Sequence, residues 1–543
     1  MLLRTRSLPG LMAVLAGLAA QTGCTHDRPL DVTLDQHVRL PERAAVLFIV
    51  DGLDPARMDE LLALGELPNI QNRLIARGTV VDHAVTCLPS ITYAGLTTIL
   101  TGQLPGTHGI LGNKWFDRAR LRVHDYATTK TYRNVDQHFR VPTVYEYLED
   151  ELTVSIQCAV RRGATRIIDN WATSGINWYF QGFDEVNKLI AIRFELIAQV
   201  ANEIGRWPLF VNAYFPGLDE IGHRYGADSQ QYHHSMINVD TQIGRILDAY
   251  EQIGLIDRTC FALVSDHGHV PIDPQRRLDL EKWLTLRAGL RAWTSPIPGD
   301  SFEKRYLFMK PYDAVLVNGG NRRAHLHLRS TAGWHQRPTA EEVIAVLERA
   351  GGLYNQVSVA LIAVRRDDNS VLVLSGKGRA IVTRARHDTT SGAIYALDVL
   401  EGDPLGYASD PTVRHSLEAG ALSSREWLSL TAQTDYPDFV PQIVEMFNSP
   451  HAGEAVIFAG PGASFSRTNR GGHGSALARD MRVPMIWRAP GIPAGARIQH
   501  ARTVDVMPTV LEYLGRPLSP AESKRADGLS LTDRLSAATT NRS

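Results

Sequence analysis

Residues Ala44 to Val50 form an unbroken apolar run that stops at Asp51-Gly52. A strand with one wetted face would alternate apolar and polar residues. A run apolar at every position therefore suits a parallel sheet covered on both faces. Similar runs recur along the chain. Leu209-Phe210-Val211 leads into Asp219, Phe261 to Val264 ends in Ser265-Asp266-His267-Gly268, and Val483 to Trp487 lies near the C-terminus. Between them lie helical patterns: Met58 to Leu64, stopped by Gly65 and Pro68, then Ile237 to Leu255 and Val504 to Leu514. Strands alternating with helices predict an α/β fold with a doubly wound, mostly parallel sheet flanked by helices.

The stretch 285–445 has another rhythm. Glu341 to Arg349 reads as a helix. Val357 to Val364 and Val371 to Leu374 read as strands around the turn Asp367-Asp368-Asn369, and Ser375-Gly376-Lys377-Gly378 marks the next turn. Hairpins with a helix predict an inserted α+β cap. The 543 residues thus divide into a leader, 1–24; a polar tether, 25–42; the first part of an α/β core, 43–284; the cap, 285–445; the second part of the core, 446–535; and a tail, 536–543. That length fits one large domain carrying an insertion.

A net charge of -1 gives no basic excess, so no nucleic-acid-binding surface is expected. Arg4 and Arg6 precede the apolar run Leu8 to Ala20, which is too short to span a bilayer and reads as an export signal. It ends in Gln21-Thr22-Gly23-Cys24, which resembles a bacterial lipobox although Gln21 stands where an aliphatic residue is usual. The expectation is an exported protein, periplasmic or held on a membrane through lipid on Cys24; cleavage nearby without a lipid is the alternative. Cys87, Cys158 and Cys260 match no zinc-ribbon spacing, so one disulfide stays open and Cys260 reads as core.

In an open α/β sheet, ligands bind beyond the carboxyl ends of the strands. Asp51, the pair Asp219 and His223, the group Asp266, His267 and His269, and His473 within Gly471-Gly472-His473-Gly474 all fall at such ends. Carboxylates mixed with imidazoles suit zinc or a similar first-row metal. Taken singly, each also fits an ordinary turn or a helix-surface pair. A further segment runs from Pro89-Ser90 through Ile91-Thr92-Tyr93 to Gly102, a turn followed by a helix. A hydroxyl at that helix start faces unpaired N–H groups, which favour an alkoxide or a bound anion. Ser90 or Thr92 could equally be an N-cap.

These pieces resemble the alkaline phosphatase superfamily, in its type I phosphodiesterase/nucleotide pyrophosphatase branch. They follow the family's order: Val50-Asp51-Gly52; Pro89-Ser90-Ile91-Thr92-Tyr93; Thr101-Gly102 through His108-Gly109-Ile110 to Asn113; Asp219 to His223; Ser265-Asp266-His267-Gly268; and Gly472-His473-Gly474. The resemblance implies a metal-dependent hydrolase of small phosphate esters with two divalent ions, most commonly zinc. One ion would be held by Asp219, His223 and His473, the other by Asp51, Asp266, His267 and the Thr92 oxygen. Thr92 would be the nucleophile, passing through a phospho-threonine, and Asn113 would bind a non-bridging phosphate oxygen. His269 would lie just outside the ligand set.

The chain also departs from the pattern. Many pyrophosphatase-type members follow the nucleophile with an aromatic residue and then Pro-Asn-His, whereas here the run is Tyr93-Ala94-Gly95-Leu96. Ala159 to Ala164 resembles a stretch of monoesterase members in which a Lys and an Arg bind terminal phosphate oxygens. Arg162 takes the arginine place, and Val160 stands at the lysine place, where its apolar surface could face a second ester substituent. Read without that resemblance, Arg161 and Arg162 are strand-edge charges. The same site thus admits a phosphomonoesterase. A sulfatase needs Cys or Ser in C/S-x-P-x-R, and Cys87-Leu88-Pro89-Ser90-Ile91 ends in Ile. A non-catalytic binding lipoprotein is the reading from another class; the complete ligand set argues against it.

Overall fold

The computed structural model describes residues 28–128, 130–169, 181–388, 392–418 and 420–539. The leader with Cys24 lies outside these residues, as do the first part of the tether and the end of the tail. Six strands of the first sheet come first: β1 (Ala44–Val50), β2 (Thr79–Val85), β3 (Thr153–Ile156), β4 (Arg166–Ile168), β5 (Phe210–Phe215) and β6 (Thr259–Val264). Nine follow: β7 (Ala292–Trp293), β8 (Ala314–Gly319), β9 (Arg323–Leu328), β10 (Val359–Arg365), β11 (Ser370–Ser375), β12 (Gly378–Asp388), β13 (Gly392–Gly402), β14 (Leu422–Ser423) and β15 (Ala455–Ala459). The chain then returns through β16 (Arg482–Val483), β17 (Met485–Arg488) and β18 (Ala496–Arg502).

The first sheet runs β16-β2-β17-β6-β1-β5-β3-β4, with β18 paired to β2. Strands β6, β1, β5, β3 and β4 are mutually parallel, and β17 joins β6 antiparallel. Every residue of β1 is buried, as its unbroken apolar run requires. Val46, Phe48 and Val50 pack with α3 (Phe183–Ile204) and α5 (Gln230–Gln252). Ala45, Leu47 and Ile49 pack on the opposite face with α2 (Thr92–Thr101) and α7 (Val506–Tyr513). Side chains that alternate across a strand with both faces covered make the doubly wound arrangement. Each fully buried Val, Ile or Phe adds about 1.5–3 kcal/mol.

Helix boundaries shift where caps decide them. The helix read as Ile237 to Leu255 begins at Gln230, because the Ser229 hydroxyl accepts from the Tyr232 N–H at 3.2 Å. Among the described residues no helix is long and apolar enough to cross a membrane.

The second sheet runs β7-β8-β9-β15-β10-β11-β12-β13-β14 and is antiparallel except at β7–β8. The division drawn at residues 285 and 445 does not coincide with its edges. Leu280 and Trp283 already pack against this sheet, and β15 sits in its middle between β9 and β10. The strand Ala455–Ala459, assigned by sequence to the returning core, is therefore a central strand of the cap. Cys87, Cys158 and Cys260 are buried and free, so the disulfide left open does not form among them; Cys260 is core, as expected.

Candidate metal centre

Register brings the site together. Val50 of β1 lies beside Phe215 of β5, and Ile49 beside Val264 of β6, so the three parallel strands end at one level. Asp51 follows β1, and Asp266 and His267 follow β6. Past β5, α4 (Gly217–Tyr225) carries Asp219 and His223 four residues apart on one face. Gly52, at φ +64, lets Asp219 approach: a Cβ there would lie 2.8 Å from Asp219 Oδ1. On the helix that begins at Thr92, a Cβ at Gly95 would lie 2.7 Å from the Asp266 carbonyl oxygen. That contact gives a physical reason for glycine in the departing run Tyr93-Ala94-Gly95-Leu96.

Thr92 is the first residue of α2 and is 7 % exposed; the residue in the cap position is Ile91, which makes no side-chain cap. The Thr92 hydroxyl is thus not spent on capping. It lies 3.2 Å from His267 Nε2, which is also 3.2 Å from Asp51 Oδ1 and 3.5 Å from Asp266 Oδ2. Asp219 lies 3.3 Å from His223 Nε2 through Oδ2 and 3.7 Å from His473 Nε2 through Oδ1. His269, placed by resemblance just outside the ligands, contacts Asp219 Oδ1 through Nδ1 at 3.0 Å.

Two groups of donor atoms are close enough to share an ion: Asp219, His223 and His473; and Asp51, Asp219 and His267. The first is the expected set. The second contains Asp51 and His267 as expected but brings in Asp219, with Asp266 and the Thr92 hydroxyl beside His267. Asp219 thus stands between the two groups.

Three observations fit these residues to metal ions. Each Nδ1 of His223, His267 and His473 faces a backbone carbonyl, of Gly471 (3.0 Å), Gly268 (2.9 Å) and Ser90 (2.9 Å) respectively. With Nδ1–H donated outward, each neutral imidazole turns its Nε2 lone pair toward carboxylate oxygens, an arrangement that needs a cation between them. Asp51 Oδ1 and Asp266 Oδ2 are buried with no hydrogen-bond partner among the described residues. Burial opposes the charged form of His267, but Asp266 and Asp51 raise its pKa to about 10; burial opposes the charged form of His223 likewise, but Asp219 raises its pKa to about 9. Metal binding at such a site releases protons.

Sequence reading passed over several supporting groups. The Tyr214 hydroxyl donates to Asp51 Oδ2 from inside β5. The turn between β8 and β9 reaches in from the cap sheet: the His473 N–H donates to the Gly320 carbonyl at 2.8 Å, and the Asn321 amide lies 3.2 Å from His223 Nδ1. Arg322 forks onto Asp480 at 2.8 and 3.0 Å, and Asp480 accepts from the Ser475 N–H at 3.0 Å, which fixes the loop after His473. The Gly319-Gly320-Asn321 turn was the available signal for this contact.

Asn113 sits beside the start of α2: its Oδ1 accepts from the Tyr93 N–H at 3.3 Å. Arg162 is engaged elsewhere. Its guanidinium bonds Glu146 at 3.0 and 2.9 Å and the carbonyls of Asp136, Phe139 and Val141, and it stacks over the Phe139 ring. Every face of its fork is occupied, so it offers no free donor to a phosphate in this structure. Arg161 is not the exposed strand-edge charge read from sequence either; it is 5 % exposed and pairs with Asp169. Val160 is fully buried in the core and offers no surface to a substrate, contrary to its reading as an apolar wall.

An Asp/His cluster at the carboxyl ends of a mostly parallel sheet, with a helix-start threonine inside it, gives an alkaline phosphatase-like α/β fold with a candidate metal centre. The structure of murine ectonucleotide pyrophosphatase/phosphodiesterase 5 shares this fold, with a TM-score of 0.55 at 14% identity, over 88% of this chain and 96% of that one. That murine protein has also been solved as an inactive threonine-to-alanine variant in complex with AMP. The model of the type I phosphodiesterase / nucleotide pyrophosphatase family matches residues 45–371, and the chain belongs to that family. An uncharacterized pyrophosphatase/phosphodiesterase of Schizosaccharomyces pombe is 26% identical over 46% of this chain and 50% of its own length. Ectonucleotide pyrophosphatase/phosphodiesterase family member 1 of Homo sapiens is 22% identical over 52% of this chain and 30% of its own length. The chain thus spans half or less of these two curated relatives.

Proposed function

We propose that this protein hydrolyses phosphate esters of the phosphodiester or pyrophosphate type, with the Thr92 hydroxyl as nucleophile. The observation that carries the reading is the position of that hydroxyl: not used as a cap at a helix start, and hydrogen-bonded to His267 Nε2 at 3.2 Å within the Asp/His cluster. Asp219, His223 and His473 would hold one divalent ion and Asp51, Asp266 and His267 a second, zinc being the metal this donor set suits best. Bound there, the ions would supply Lewis-acid charge at the reacting oxygens and lower the hydroxyl's pKa.

The chain's own groups do the rest. Thr92 Oγ1 attacks phosphorus in line, the leaving oxygen departs opposite, and water later hydrolyses the phospho-threonine. The positive end of the α2 dipole favours the developing negative charge. Asn113, held through its Oδ1 by the Tyr93 N–H, has its amide N–H groups free to bind a non-bridging oxygen. His269 positions Asp219, and Tyr214 positions Asp51.

Arg162 bears on the choice between diester and monoester. A monoester dianion has a third non-bridging oxygen that calls for an extra cation. With its fork spent on Glu146 and three carbonyls, Arg162 does not supply one. We expect aryl phosphate diesters to be cleaved with higher kcat/KM than matched monoesters in zinc-loaded protein. Arg162→Ala should lower both efficiencies by the same factor and destabilise the fold by about 2 kcal/mol. A parent enzyme that prefers the monoester would move the assignment to phosphomonoesterase. A loss confined to monoesters would return Arg162 to the phosphate.

The proposed setting is outside the cytoplasm, with a lipid on Cys24 holding the chain to a membrane. Cys24→Ser should move the protein from the membrane fraction to the soluble exported fraction. Unchanged fractionation would remove Cys24 as the anchor.

A further inference from the structure

Arg322 and Arg323 are adjacent, fully buried and opposite in circumstance. Arg322 is satisfied by Asp480 and by the carbonyls of Gly460 and Ala463. Arg323 makes one hydrogen bond, from Nη2 to the Leu111 carbonyl at 2.8 Å, and its Nε and Nη1 have no partner. No carboxylate among the described residues pairs with it. A buried guanidinium with two idle donors and no counter-charge is costly to keep.

Its place in the fold is specific. A Cβ added at Gly112, the residue before Asn113, would lie 2.6 Å from Arg323 Nη2 and 3.4 Å from Ile91 Cγ2. One added at Gly319 would lie 2.6 Å from the same Nη2 and 2.7 Å from Ile91 Cδ1. One at Gly474, the residue after His473, would lie 3.4 Å from Arg323 Cβ. The guanidinium is therefore packed behind the residues that immediately precede Thr92 and Asn113, and its stem behind the residue that follows His473. Ile91 and the glycine backbones separate it from the reacting atoms. Low-dielectric packing of this kind screens a charge poorly, so its field reaches the phosphate position.

We propose that Arg323 is an electrostatic positioning residue whose counter-charge is the substrate's phosphoryl group: a cation of the cap sheet, buried behind Thr92 and Asn113, that favours the oxyanion in the transition state without touching it. The inference rests on the phosphate-ester reading above. Burial alone lowers the Arg323 pKa to about 9, consistent with a charge that lacks an internal partner.

The test uses full-length, zinc-loaded protein and R323M, which keeps the stem's bulk and removes the charge. The expected result is a melting temperature of the metal-free variant equal to or above the parent's, since an uncompensated buried charge is gone. Metal content should be unchanged. The upward melting shift produced by inorganic phosphate should shrink, and kcat should fall by about 10- to 100-fold with little change in KM. R323K should recover part of the kcat. A lowered melting temperature with parental kcat and phosphate response would show that Arg323 only ties down Leu111, and would overturn the proposal. If R323M does not fold, R323K and R323Q carry the comparison: equal kcat in the two, despite their difference in charge, overturns it. The hydrolase reading fails separately, if the zinc-loaded parent neither turns over phosphate esters nor shifts with phosphate.

Discussion

Thr92→Ala is expected to leave a folded, metal-binding protein whose turnover has fallen by at least about 10⁴-fold. Little stability depends on the hydroxyl. Thr92 opens α2 at its first helical position and does not supply the cap, and alanine is the better helix former there. Its side-chain hydrogen bond is the 3.2 Å contact with His267, whose ring is also fixed by the Gly268 carbonyl. Metal content should change little, because Asp51, Asp219, His223, Asp266, His267 and His473 all remain. Rate, melting temperature and elemental analysis should be measured on one preparation. Near-parental rates in a folded variant would remove Thr92 as nucleophile. A collapse of the melting temperature would mean that the hydroxyl is structural.

Asp219→Asn is expected to have the second largest effect, because this carboxylate is shared between the two donor groups. Its Oδ1 faces His269 and His473, and its Oδ2 faces His223. Burial opposes its charge, yet His223 and His473 hold the carboxyl well below the usual carboxylate range. An amide keeps the shape but loses the charge that draws a cation. Bound metal should fall from two ions per chain to one or fewer, and turnover by roughly 10³-fold or more. The metal-free variant should be less stable than the metal-free parent at neutral pH, because His223 and His473 lose the charge they face. What should vanish is the stabilisation on adding zinc, worth about 4 kcal/mol at a thousandfold excess over Kd. Retention of two tightly bound ions in Asp219→Asn would contradict the shared role.

Much of this site was legible in the chain because its chemistry lies at strand ends. The apolar run Ala44–Val50 had to be a buried strand, so Asp51 had to lie at its mouth; the same holds for Asp266 and His267 after Phe261 to Val264. Thr92 and Gly102 bracketed their helix because glycine takes the left-handed cap there, at φ 64. Arg162 was not legible in the same way. Its neighbours fit a phosphate-binding stretch, but the charge of an arginine does not say which partner will reach it first. Here Glu146 and the carbonyls of Asp136, Phe139 and Val141 do so. The cap boundary was misplaced for a related reason: Ala455 to Ala459 is as apolar as a core strand, and only pairing shows which sheet it joins.

The sequence by itself determined the sheet type, the residues at the strand mouths and the helix that carries Thr92. Those follow from local pattern and from the period of buried strands. Only the tertiary structure decided that Asp219 stands between both donor groups, that Asn321 and Gly320 of the cap sheet reach His223 and His473, and that Arg323 is buried without a counter-charge among the described residues. Each of these depends on contacts between segments far apart in the chain. The free energy of a buried charge is set by what surrounds it, and a sequence fixes which groups exist but not which of them meet.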